Sequence, residues 1–202
     1  MQNDVQESTI QKLTTREIMM VKSQRLFDLG FGKAMKMSKN KFFSAIPLPK
    51  KGKTGHILVI SPRCVSISAA MALIKVDRKK GHNYIDSTSL MEIAGAPTGM
   101  FYWRYGLLYN PCLGQSLGVR EKIIKEERRI LGTVNEGIYA IAQHPEILRG
   151  RWLYCLGSRS YYGAVPYLSI DKEKGGPMLY VDSVNCLNMV GLEDTGLFSF
   201  KE

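Results

Sequence analysis

The chain has 202 residues, 28 Lys and Arg against 18 Asp and Glu, a formal net charge of +10, and 45% apolar residues. That balance excludes an intrinsically disordered chain, and the length suffices to bury a core without disulfide or metal staples. No apolar run approaches the about 20 residues that span a bilayer, so no membrane partner is expected.

Met1 to Ser8 is polar and lacks the basic-then-apolar layout of a signal peptide, which makes the cytoplasm the expected compartment. Thr14-x-x-Glu17 matches a capping box, with a start near Ser8 as the alternative, and Ile10, Leu13, Ile18, Val21, Leu26 and Phe27 approximate a helical stripe that Gly30 and Gly32 stop. Ser38 is a fitting N-cap for a short helix through Phe42, Phe43 and Ile46, ended by Pro47 and Pro49. Residues 1–50 thus read as an N-terminal helical arm, able to pair with a second copy of the chain as a homo-oligomer, and 51–202 as the body. Seven lysines, Lys33, Lys36, Lys39, Lys41, Lys50, Lys51 and Lys53, fall in a stretch with no acid. Such a field attracts anions, nucleic acid among them. The plainer alternative, which the scarcity of aromatics favours, is a solvated face.

His56 to Ile60 predicts a strand and Ser66 to Ile74 a helix. The turn between them, Ser61 to Val65, lacks the glycines of a phosphate-binding loop. Asp77 to Asn83 reads as a charged turn. Ser89-x-x-Glu92 is a second capping box and predicts a short helix before Gly95 and Pro97. Met100 to Tyr109 is aromatic and strand-like: a half-buried strand, or with Arg104 a stacking platform. Val119 to Ile130 predicts an amphipathic helix with Ile123 and Ile124 inward. A third capping box, Thr133-x-x-Glu136, opens a helix that Pro145 limits.

Trp152 to Asp182 is the densest β-forming run. It predicts strands over Trp152–Leu156, Ala164–Ile170 and Pro177–Val181, paired antiparallel because the links are too short for a crossover. Gly157-Ser158-Arg159 and Ser160 then lie at or beside a hairpin tip, where guanidinium, hydroxyls and turn amides could receive a small anionic ligand. The plainer alternative is an ordinary hairpin whose Arg159 pairs with a surface acid or with water. The stretch after Asp182 is apolar enough to pack on the body as one short turn or strand.

Four cysteines, Cys64, Cys112, Cys155 and Cys186, include no C-x-x-C pair, and His56, His82 and His144 show no metal-ligand spacing. No metal or cofactor is therefore expected. Cys155 with His144 and Glu136 nearby is a weighed alternative for a nucleophilic hydrolase or transferase, against a buried inert thiol. The expected fold is α+β, a mainly antiparallel central sheet with helices on one face. The favoured function is a non-enzymatic binding or interaction module.

In chain order, Glu136-Gly137-Ile138, Pro145, Leu148, Gly157-Ser158-Arg159, Val165-Pro166, Leu168, Ile170, Pro177 and Leu179 resemble the E-G-I … G-S-R … V-P-x-L-x-I pattern of a family of uncharacterised bacterial cytoplasmic proteins. The resemblance runs over most of the chain and implies no activity. The chain departs from the pattern at Ser169, where a Trp is expected, and at Cys186-Leu187-Asn188, where a Trp- and His-containing stretch is expected.

Overall fold

A computed structural model describes residues 14–53, 56–86, 89–93, 95, 97–111, 115–149, 151–181 and 195–201, without the side chains of 108–111 and 195–196. The polar N-terminus, Cys112, Cys186 and most of the stretch after Asp182 lie outside the described residues.

The N-terminal part folds as its caps dictate. Helix α1 (Thr15–Asp28) opens on a complete capping box between Thr14 and Glu17. Helices α2 (Phe31–Ala34) and α3 (Lys39–Ser44) follow, the Ser38 hydroxyl accepting from the Lys41 amide. These helices have no core of their own. Leu26, Phe31 and Phe42 are fully buried in one cluster with Ile57, Tyr139 and Phe101 of the body. The expected arm is docked, and the expected boundary near residue 50 does not separate two cores.

Strand β1 (Ile57–Ile60) leads to α4 (Ile67–Leu73), capped by Ser66. Strands β2 (Lys75–Val76) and β3 (Lys79–Lys80) form a hairpin turned by Asp77 and Arg78 in left-handed conformation, followed by β4 (His82–Asn83). The helix predicted from Ser89-x-x-Glu92 is instead β5 (Leu90–Glu92), paired with β9 (Ser158–Ser160) from far along the chain. A capping box is a local preference, and the distant partner strand overrides it. Then come β6 (Phe101–Pro111), α5 (Leu117–Glu126), β7 (Arg129–Leu131) and α6 (Val134–Gln143), whose N-terminus carries the third predicted capping box, and a 3-10 turn, Pro145–Leu148. Strands β8 (Trp152–Tyr154), β10 (Pro166–Ile170), β11 (Pro177–Val181) and β12 (Thr195–Lys201) complete the described elements.

The fold is α+β. The main sheet runs β1-β6-β12-β8-β10-β11-β4, with β7 also on β12. Its pairs are antiparallel except β12–β8 and β11–β4. The three predicted strands of the Trp152–Asp182 run pair antiparallel, with Pro166 opening the second one, where its missing N–H costs least. The apolar C-terminal stretch supplies a central strand, β12, rather than an accessory turn.

Strand periodicity divides the side chains between two faces. Leu153, Cys155, Leu168, Phe198 and Phe200 face the main cluster under α1, α2, α3, α4 and α6. Tyr154, Leu156, Tyr167 and Leu197 face the other way, in a second cluster with Leu117 and Ile124 of α5. Every residue of α6 is buried. It can lie this close because Gly137 has no side chain: a Cβ there would stand 2.8 Å from Leu168 Cδ1 and 3.3 Å from Cys155 Sγ. Helix α6 also completes the outer edge of β1. Gln143 accepts from the Leu58 amide (3.1 Å) and donates to the Leu58 carbonyl (2.8 Å), while Asn135 donates to the Ile60 carbonyl (3.0 Å).

Candidate functional site

The residues expected to receive an anion are committed to the fold. Ser158 is fully buried, and its hydroxyl accepts from the Val134 amide at the start of α6 (2.9 Å). Arg159 donates Nη1 to the Leu156 and Ser158 carbonyls (2.6 and 2.9 Å) and Nη2 to Glu121 of α5 (2.7 Å), the two side chains being 12% and 15% exposed. The Ser160 hydroxyl accepts from the Ala164 amide (3.1 Å). Gly157 is pressed on the backbone of Leu131 and Gly132, where an added Cβ would meet the Leu131 carbonyl at 2.6 Å. The expectation of an open guanidinium is corrected: this corner rivets β9 to α5 and α6, because Glu121 supplies in place the negative charge that a ligand would have brought.

The weighed nucleophile also lacks its base. Cys155 is fully buried and its thiol is pushed well up, by burial first and the Glu136 charge second, so the thiolate is suppressed. The ring nitrogens of His144 meet Lys22 Nζ (2.7 Å) and Glu146 Oε1 (3.0 Å) instead. Glu136 is spent on its own helix cap at Thr133 and on a buried ion pair with Arg104. Arg104 is therefore an interior ion, not part of a stacking platform. Its strand neighbour Trp103 donates to the Pro47 carbonyl (2.7 Å).

Around that ion pair lies a polar layer. The Tyr139 hydroxyl is buried without a partner, that of Tyr102 faces Asn135, and burial pushes both upward, so they stay protonated. Burial and the charge of Glu136 likewise raise Glu92, which lines a cleft of about 240 Å³ with Ser61, Arg63 and Thr98. All seven lysines of the basic stretch are exposed, and among the described residues none enters an ion pair.

A concave site that motif reading missed lies on the sheet face away from the main helical layer. Trp152 of β8, Tyr167 of β10, Tyr180 of β11 and Tyr84 just after β4 wall a cleft of about 410 Å³. Trp152 and Tyr167 stack at 5.2 Å and 15°, and Tyr167–Tyr180 (6.0 Å, 58°) and Tyr180–Tyr84 (6.2 Å, 63°) bend the row into a curved wall. Ser169 lies in the lining, 1% exposed, and its hydroxyl has no partner. At the rim, Asp171 accepts from the Tyr84 hydroxyl (2.6 Å) and from the Glu173 and Lys174 amides. The Tyr84 hydroxyl and those amides lower the Asp171 carboxyl to about 2. Lys174 Nζ sits 2.8 Å from the Tyr84 hydroxyl and 4.9 Å from its ring centroid. The signal in the sequence is the period-two spacing Trp152/Tyr154, Tyr167/Ser169 and Met178/Tyr180, which sets each pair on one sheet face.

Among the described residues no group of His, Cys, Asp and Glu could hold a metal ion, and no helix is long and apolar enough to cross a membrane. No protein-family model, no curated protein and no solved structure matches the chain.

Proposed function

We propose that the protein is a non-enzymatic binding module whose ligand is a small neutral saccharide held in the aromatic cleft. The observation that carries this reading is the buried, unpartnered Ser169 hydroxyl in the lining of a cleft walled by four aromatic rings. A buried hydroxyl without a partner costs about 1–3 kcal/mol, and a ligand hydroxyl would recover it. The volume lies within the usual range for small-molecule sites, and apolar walls with few polar groups are their usual make-up. Charge favours a neutral ligand: the rim segment Asp171-Lys172-Glu173-Lys174 offers two acids and two bases. Shape favours a puckered ring over a flat base, because the tilted rings make a concave wall and not a platform.

Trp152 is one of two tryptophans and the one in the cleft wall, so its fluorescence reports occupancy. Titration with neutral mono- and disaccharides should give a saturable change. Ser169→Ala should weaken it about tenfold, the worth of one hydrogen bond. Arg159→Ala should leave the affinity unchanged. Saturation by nucleosides or inorganic phosphate with none by any saccharide would overturn the reading.

A second reading rests on the seven exposed lysines without described ionic partners. It is nucleic-acid binding through phosphates, with an affinity that falls steeply as salt rises. Absence of binding to duplex or single strands at low ionic strength would remove it.

A further inference from the structure

Away from the cleft, three side chains form a relay where α1 meets the end of α6. Lys22 Nζ lies 2.7 Å from His144 Nε2, and His144 Nδ1 lies 3.0 Å from Glu146 Oε1. A carboxylate only accepts, so Nδ1 carries the imidazole proton and Nε2 turns its lone pair to the lysine. The relay lies at the surface: Lys22 is half-buried, and the His144 and Glu146 side chains are 34% and 59% exposed. The order carboxylate, imidazole, nucleophile is that of an activated nucleophile, here with an amine in the last place.

We propose that Lys22 is an acyl-accepting lysine, its amine attacking thioesters with His144 as proton acceptor and Glu146 holding the imidazole. The nitrogen lone pair attacks the thioester carbonyl carbon. The N–C bond forms, the C–S bond breaks, and the proton lost from nitrogen passes through His144 Nε2 to the leaving thiolate. The products are an amide and a thiol, and no redox partner is needed.

The surroundings favour the neutral amine. The groups facing Lys22 are Arg25 on its own helix, which donates to the Ala142 carbonyl, His144 and Glu146 after α6, and His56 ahead of β1. Burial, then the Arg25 charge, lowers Lys22 to about 8, against the smaller opposing pull of Glu146. At pH 8 about half of Lys22 is then unprotonated, against about 0.4% of an ordinary lysine. Lower basicity takes back about a factor of ten if the amine follows the Brønsted slope of thiols, which leaves an advantage of about tenfold. Lys174 is the internal contrast: its hydrogen bond to the Tyr84 hydroxyl raises it.

The test is acetylation of the full native chain by a limiting small acetyl thioester between pH 6.5 and 9, with site rates read by peptide mass spectrometry. Lys22 should react about tenfold faster than Lys33 at pH 8, with a midpoint near 8, and Lys174 should be the slower of the two contrasts. His144→Ala, which removes the proton acceptor but neither the burial nor the Arg25 charge, should slow Lys22 severalfold relative to the native chain. Glu146→Gln, at an exposed position that leaves the fold intact, should slow it less. A Lys22 rate no higher than that of Lys33 across the range would overturn the proposal. So would an advantage unchanged in both variants.

Discussion

Two buried serines on strands consecutive in the chain but in different sheets teach opposite lessons. Ser158 is announced by its setting, Gly157-Ser158-Arg159, yet its hydroxyl is spent on the Val134 amide and its neighbour Arg159 on Glu121. Ser169 is marked only by strand alternation and by standing where a Trp is expected, yet its hydroxyl is left unspent in the lining of a cleft. A polar side chain is available to a ligand when the fold leaves it unsatisfied, and that is decided by neighbours from distant parts of the chain.

The closed side can be broken most severely at Arg104. Glu136, which with Ser158 closes the start of α6, is fully buried and paired with it. Arg104→Ala strands that carboxylate and should cost about 3–5 kcal/mol, read by urea unfolding. Ser158→Ala removes the acceptor of a buried amide and should cost about 1–3 kcal/mol in the same measurement. The open side should respond in the other direction. Ser169→Ala deletes an unsatisfied group and should leave stability unchanged or raise it by about 1 kcal/mol, while weakening the saccharide. Equal losses from the two serines would erase the distinction between the two sites.

The smallest effect concerns the rim. The folded Asp171 is lowered from 3.8 to about 2. A lowered carboxyl contributes stability that is fully present above its unfolded value and is lost as pH falls through the folded one. Asp171→Asn should therefore flatten the acid limb of stability between about pH 4 and 2 and leave its slope near neutrality unchanged.

The fold was legible where local chemistry decides it. Thr14-x-x-Glu17 and Thr133-x-x-Glu136 form the reciprocal caps that their spacing implies, and Ser38 caps as expected. The strands of the Trp152–Asp182 run were legible from composition and breaks. Ser89-x-x-Glu92 misled because Ser158–Ser160 reaches it as a strand partner. The candidate site was half legible. Alternation sets Trp152, Tyr167 and Tyr180 each on one face of its strand, but whether that face stays open depends on where α5 docks. Helix α5 shares a cluster with Tyr154 and Leu197, a tertiary fact with no local signature.

The two amides on α6 carry a consequence for the protein in a crowded solution. Strand β1 ends the main sheet, and Gln143 and Asn135 occupy its outward Leu58 and Ile60 groups. An exposed sheet margin is a template on which a second molecule can add a strand, the first step toward fibrous assembly. By answering those groups from within and covering the margin, α6 acts as a built-in chain terminator, and Gln143→Leu would leave the Leu58 amide and carbonyl buried and unanswered.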